Sequence, residues 1–201
     1  MNSLKKTILV IGLMAGLLAA PFGAEARTVA VAQPFPLGLA LIDPLQIPSS
    51  DTSVSGFRLS LVYGRNADVM GLDLGAFVSV ADGDVFGLEV SGLLNSVGSA
   101  SGTIQIAGIA NNCYEDFCGC QVSGIANRVG GMLNGGQIGC FNLAGDMGGI
   151  QIGVYNKATK ASGLQIGVLN EVETMRGIQL GVINIQRNGS VPFMPILNVN
   201  F

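Results

Sequence analysis

The sequence predicts an all-β repeat protein, and three observations carry that prediction. The first is a short motif that recurs along most of the chain. A polar residue falls at Asp73, Glu89, Gln105, Gln121, Gln137, Gln151, Gln165 and Gln179, at spacings of 16 residues and then, after Gln137, of 14. Such self-similarity marks a repeat architecture in which each copy is one structural unit. The second is strict alternation within a copy. From Gly149 to Ala158, Ile150, Ile152, Val154, Asn156 and Ala158 share one face, and Gly149, Gln151, Gly153, Tyr155 and Lys157 share the other. A period of two over that length means a β-strand. The third is glycine at a fixed offset, two residues before the polar slot, at Gly71, Gly87, Gly119, Gly135, Gly149, Gly163 and Gly177, with Thr103 the one departure.

The elements follow in chain order. Lys5 and Lys6 precede an apolar run from Ile8 to Ala20, broken by Pro21 and Gly23 and followed by Ala24-Glu25-Ala26. This pattern is that of a secretory signal peptide, residues 1–26, cleaved after Ala26. The run falls short of the ~20 residues of a spanning helix, and no lipid-acceptor Cys follows it. Residues 27–55 form a lead-in or cap. Residues 56–201 form the repeat domain, about nine copies of a 14–16-residue unit. Gly56 to Gly64 reads as a degenerate first copy with Arg58 in the polar slot. Phe193 to Asn198 reads as a last copy that keeps only its Asn. Between them, Asn95, Asn111, Asn127, Asn142, Asn156, Asn170 and Asn184 follow the polar slot by five or six residues.

Two architectures accommodate these strands. In a parallel β-solenoid each copy is one coil of 14–16 residues. The Ile/Val face then points inward against Ala158, Ala161, Val172, Met175, Val129 and Met132 of the return segments. Gln stacks on Gln (Gln105, Gln121, Gln137, Gln151, Gln165, Gln179) and Asn on Asn (Asn111, Asn127, Asn142, Asn156, Asn170, Asn184), and the Gln/Gly face offers a flat interaction surface. Stacked amides hydrogen-bond along the coil axis, a physical reason to repeat them. The alternative is an up-and-down outer-membrane β-barrel with one strand per copy, supported by the alternation and the terminal aromatic Phe201. The near-constant spacing, the absence of Trp and the apolar residues on the would-be lumen face favour the solenoid, because barrels alternate short turns with long loops and carry aromatic girdles.

The strings GIQIGVYN, GLQIGVLN and GIQLGVIN, with PFMPILNVNF at the end, resemble a family of bacterial surface repeat-containing proteins, over roughly Phe35 to Phe201. That family is found mainly in Gram-negative species and includes lipoproteins. The resemblance implies export and a surface or outer-membrane association, and brings no activity with it. The chain departs from the lipoprotein members in lacking the acceptor Cys.

Composition removes most chemistry. There is no His, so Ser-His and Cys-His nucleophile pairs are excluded. Ten basic and thirteen acidic residues give a net charge of −3 and no basic stripe for nucleic acid. The carboxylate pairs Asp82/Asp84 and Glu115/Asp116 lie between motifs, where acids solvate turns; a carbohydrate-active solenoid enzyme is a remote alternative by analogy of fold alone. Asp82-Gly83-Asp84 also reads as a turn rather than a Ca²⁺ loop, since a full site needs six or more oxygens. Of the four cysteines, Cys113 and Cys118 flank a short loop and are the disulfide candidate in an oxidising compartment. Cys120 and Cys140 fall in Ile and Val slots and read as small buried hydrophobes; the C-x₄-C-x-C spacing matches no common zinc pattern. The sequence therefore points to an exported, non-catalytic structural protein of the outer membrane, cell surface or periplasm, with no cofactor and no specific partner named.

Overall fold

The computed structural model describes residues 33–189 and 191–200. The segment read as a signal peptide, and the terminal Phe201, lie outside the described residues. Among those described there are twelve strands and no helix: β1 (Phe35–Ile42), β2 (Leu45–Ile47), β3 (Val54–Asn66), β4 (Val69–Gly75), β5 (Val78–Ser91), β6 (Leu94–Ala107), β7 (Ala110–Cys113), β8 (Phe117–Ser123), β9 (Ala126–Ile138), β10 (Phe141–Ile152), β11 (Tyr155–Gln186) and β12 (Phe193–Asn200). They wind into a parallel β-solenoid of about eight turns. The register is that of the sequence repeat: Gln137 lies beside Gln151 and Gln151 beside Gln165, while Asn127, Asn142 and Asn156 align in the same way. Parallel pairing of every successive coil is incompatible with the up-and-down barrel, whose neighbouring strands run antiparallel.

Coil length is set at the corners. A 16-residue coil carries one more residue than a 14-residue coil between its Gln and Asn, and one more between that Asn and the next Gln. One of these residues is absorbed at Gly130-Gly131, where the register of β9 on β10 shifts, and the other at the corner that runs from Val122 to Ala126 in one coil and from Ile138 to Phe141 in the next. Glycine in the repeat column has φ between +122° and +146°, a region that L side chains avoid. The departure at Thr103 is repaired next door. Gly102 takes φ +67° at a register shift, and the Thr103 hydroxyl donates to the Val85 carbonyl at 2.7 Å.

Both ends are closed. β1 lies parallel on β3, and three-residue β2 lies antiparallel outside it, between Pro44 and Pro48. At the other end, Phe193 to Asn198 is not a further coil. β12 turns back antiparallel along the last coil, pairing Ile178 with Val199 and Gln179 with Asn198. Pro192 and Pro195 explain the change: proline lacks the N–H that one more parallel rung would need. Short, proline-flanked terminal strands blunt the open edges of a sheet.

The interior reverses one expectation. Gln151 is 0% exposed, whereas Ile150 and Ile152 on either side are 43% and 40% exposed. The Ile/Val strand face points outward and the Gln/Asn face inward. Apolar side chains do fill the core, but they come from the return segments: Val97, Phe117, Val129, Leu133, Met147, Ala158, Ala161, Val172 and Met175. Met132 is on the outside and Leu133 takes the inward place, a consequence of the extra residue at Gly130-Gly131. The phase reverses at the bend Gly153-Val154. Five residues separate Gln151 from Asn156, so a straight strand would put them on opposite faces, and the corner turns both inward.

Candidate functional site

Two stacks of amides run along the solenoid, from Gln105 to Gln179 and from Asn95 to Asn184. In the Gln stack each Nε2 donates to the Oε1 of the Gln one coil toward the N-terminus: Gln121 to Gln105, Gln137 to Gln121, Gln151 to Gln137, Gln165 to Gln151 and Gln179 to Gln165, at 2.7–2.9 Å. In the Asn stack the sense is opposite. Asn95, Asn111, Asn127, Asn142, Asn156 and Asn170 each donate to the Oδ1 of the next Asn toward the C-terminus, at 2.8–2.9 Å. The second Asn N–H reaches the outer strand of the following coil, as from Asn142 to the Ile152 carbonyl at 2.9 Å. Every predicted ladder residue is therefore in place and buried. Side-chain amides inside a protein are costly only when unpaired, and chains of such bonds polarise one another.

The ends of the ladders are where the pattern changes. Asn198 of β12 donates to Gln179 Oε1 at 2.9 Å and closes the Gln stack. At the other end Gln105 donates to Glu89 Oε2 at 2.6 Å, and the column continues through Asp73 to Arg58. Arg58 makes a bidentate pair with Asp73 at 2.8 and 2.6 Å, and its Nη2 lies 3.9 Å from Glu89 Oε1. All three side chains are buried. One cation against two carboxylates leaves an excess negative charge, and Glu89 Oε1 has no hydrogen-bond partner among the described residues. Burial first, and then the Asp73 carboxylate, push the Glu89 carboxyl up to about 8 against the attraction of Arg58. The upward shift favours the protonated acid, which offsets the excess negative charge of the trio. The Asn stack has a looser start: Asn95 Oδ1 and the hydroxyl of Ser79, its neighbour in register, both lack partners among the described residues.

The exterior divides by chemistry. The residues flanking each ladder position are Leu88/Val90, Ile104/Ile106, Cys120/Val122, Gly136/Ile138, Ile150/Ile152, Leu164/Ile166 and Ile178/Leu180. Along the margin of this face run Phe77, Leu93, Ile109, Ile125, Cys140, Val154, Val168 and Val182. No charged residue interrupts these columns. Charge gathers instead at the corner after each Asn. Arg65 pairs with Asp82 at 3.0 Å and Lys160 with Asp146 at 3.6 Å. Glu171 accepts from Tyr155 at 2.7 Å and from Arg187 at 2.5 and 2.9 Å. Burial alone would raise the Glu171 carboxyl, but the bonds from Tyr155 and Arg187 and the charge of Lys157 outweigh it and hold it below the usual range.

The carboxylate pairs singled out from sequence belong to these corners. Asp84 is bonded by the Ser99 hydroxyl, Asp82 by Arg65, and Asp116 Oδ1 accepts the Met132 N–H at 2.7 Å. Asp68 does the same for the Asp84 N–H at 2.9 Å. These four aspartates each tie one coil to its neighbour, whereas the Glu115 side chain is exposed. The cysteine expectations are corrected. Cys113 and Cys118 are both free, because the corner Tyr114–Asp116 leaves Cys113 pointing into the core and Cys118 pointing to solvent. Burial pushes the Cys113 thiol up to about 12. Cys140 is exposed and Cys120 half-buried, since the Ile and Val slots they occupy are outer ones. The charged trio went unrecognised in the sequence. Its signal was the polar slot itself, which reads Arg58, Asp73, Glu89 before settling into glutamine. No family model, curated protein or solved structure matches the chain.

Proposed function

We propose that the chain is a non-catalytic, exported structural repeat protein of the cell surface or envelope, acting as an interaction scaffold. Its working surface is the apolar outer face, in place of the Gln/Gly face expected from sequence. The observation that carries this reading is the pairing of that uncharged face with a buried double amide ladder. The ladder gives a rod stitched along its axis, and the residues that recur are those the architecture consumes. Export rests on the residues before Arg27, and envelope association on the resemblance to surface repeat proteins. Among the carboxylates open to solvent, Asp82, Asp84 and Asp116 are engaged in corner bonds, which supports an architectural use for them.

Fractionation of a Gram-negative host expressing the chain tests the proposal. The exported protein should begin at Arg27 by mass spectrometry and be recovered with the periplasm, envelope or cell surface. Recovery in the cytoplasm with residues 1–26 intact would overturn it.

A further inference from the structure

A second copy of this chain is the partner that the apolar face fits best. Monomeric soluble proteins rarely expose a contiguous apolar patch above a few hundred Å². Here seven coils at ~4.8 Å, each showing about six strand residues at ~3.3 Å, give a face on the order of 700 Å². A standard interface takes about 800 Å² from each partner. We propose that two copies pair face to face through this sheet about a two-fold axis, which rests on the reading of the outer face as the working surface.

Charge supports a self-complementary pairing. The face itself carries no charge, so two copies meet without like-charge contacts, and the acidic corners stay at the edge turned away. A membrane-facing surface would be expected to bring Trp or Tyr anchors and basic residues to its rim. This chain has no Trp and a net charge of −3, and of its three Tyr the one beside the margin, Tyr155, gives its hydroxyl to Glu171. The closed ends block growth along the rod, so lateral pairing gives a closed dimer.

A second observation lies near the middle of the face. Gly136 has an ordinary backbone, and a Cβ added there meets nothing nearer than Cys120 Sγ at 3.7 Å, an ordinary contact. The coil does not require glycine at this position, unlike Gly135 beside it. With Cys120 next to it in register, Gly136 leaves a dent in a column otherwise filled by Ile104 and Ile150. Near a two-fold axis such a dent receives an outward side chain of the mate, such as Val122 or Ile138.

The test is sedimentation velocity on the purified chain from 1 to 50 µM (concentrations chosen about the ~µM range of transient interfaces), beside Ile152→Asp and Thr159→Asp. The parent and Thr159→Asp should sediment as dimers. Ile152→Asp buries a charge in the pair and should weaken it at least about a hundredfold. Its far-UV circular dichroism should not change, because Ile152 points outward. A monomeric parent, or a dimer indifferent to Ile152→Asp, overturns the pairing. If a monomeric parent floats with phosphatidylcholine vesicles and Ile152→Asp does not, lipid covers the face: the dimer is overturned and the working surface stands. A monomer that ignores vesicles overturns both.

Discussion

Replacing Glu89 by Gln should make the protein more stable at alkaline pH and leave it nearly unchanged in mild acid. In the folded chain the Glu89 carboxyl titrates at about 8, against 4.5 for the free side chain. Between those values the folded state holds a proton that the unfolded state has released. Stability therefore falls as pH rises through that window, by about 1.4 kcal/mol per pH unit for one group. Summed across the window the loss is on the order of 5 kcal/mol. Above it, Arg58 faces two buried carboxylates. Gln at position 89 keeps the shape, accepts the Gln105 N–H through its own Oε1, and leaves the Arg58–Asp73 pair balanced. The two proteins should unfold within about 1 kcal/mol of each other near pH 5, with Glu89→Gln ahead by several kcal/mol at pH 9. Urea unfolding followed by circular dichroism at half-unit pH steps measures the difference and cancels titrations common to both. A gap that stays flat with pH, or one that favours the parent as pH rises, would refute the reasoning.

Three further outcomes follow from the same geometry. Gln151→Leu leaves the Gln165 N–H without its acceptor and the Gln137 oxygen without its donor, and should cost roughly 2–5 kcal/mol by urea unfolding; Ile152→Thr, at concentrations where the chain is monomeric, should cost less than about 1 kcal/mol. Gly163→Ala would drive a Cβ into the Gly149 carbonyl oxygen at φ +139°, and should lower stability by roughly 3 kcal/mol or prevent folding. A polar thiol reagent should modify Cys118 and Cys140 within minutes in the native protein and Cys113 only on unfolding, read by mass spectrometry of peptides; early modification of Cys113 would place it outside the core.

Much of the fold was legible because a solenoid repeats its constraints. The spacing of the Gln and Asn columns is the register of the coils, the glycine offset is the column of positive φ, and Arg58 in the polar slot is the end of the Gln stack. What sequence did not decide was which side faces in. Alternation separates two faces but does not label them, and hydrophobicity assigns Ile150 and Ile152 to the interior. The amides win that place because, stacked in register, each finds a partner on the next coil, whereas the aliphatic side chains cover one another from outside. The five-residue step from Gln151 to Asn156 held the missing information, since only a corner lets both face inward. Cys113 and Cys118 were misjudged for a related reason: distance along the chain says nothing about which side of a corner each thiol takes. Asn198 kept the sequence signature of a further coil, yet its amide closes the ladder from an antiparallel strand.

The central claim is a parallel stack in which residues one coil apart, sixteen positions up to Gln137 and fourteen after it, lie side by side. Two cysteine pairs test it, Asp146→Cys/Lys160→Cys at the charged corner and Ile152→Cys/Ile166→Cys on the apolar face, each in a chain freed of its native cysteines. Both pairs are register neighbours on β10 and β11, and all four side chains point away from the core. The account predicts that both form intramolecular disulfides under mild oxidation. An antiparallel pairing of these strands can bring at most one of the two pairs together, so a bridge in only one of them, or in neither, would contradict it.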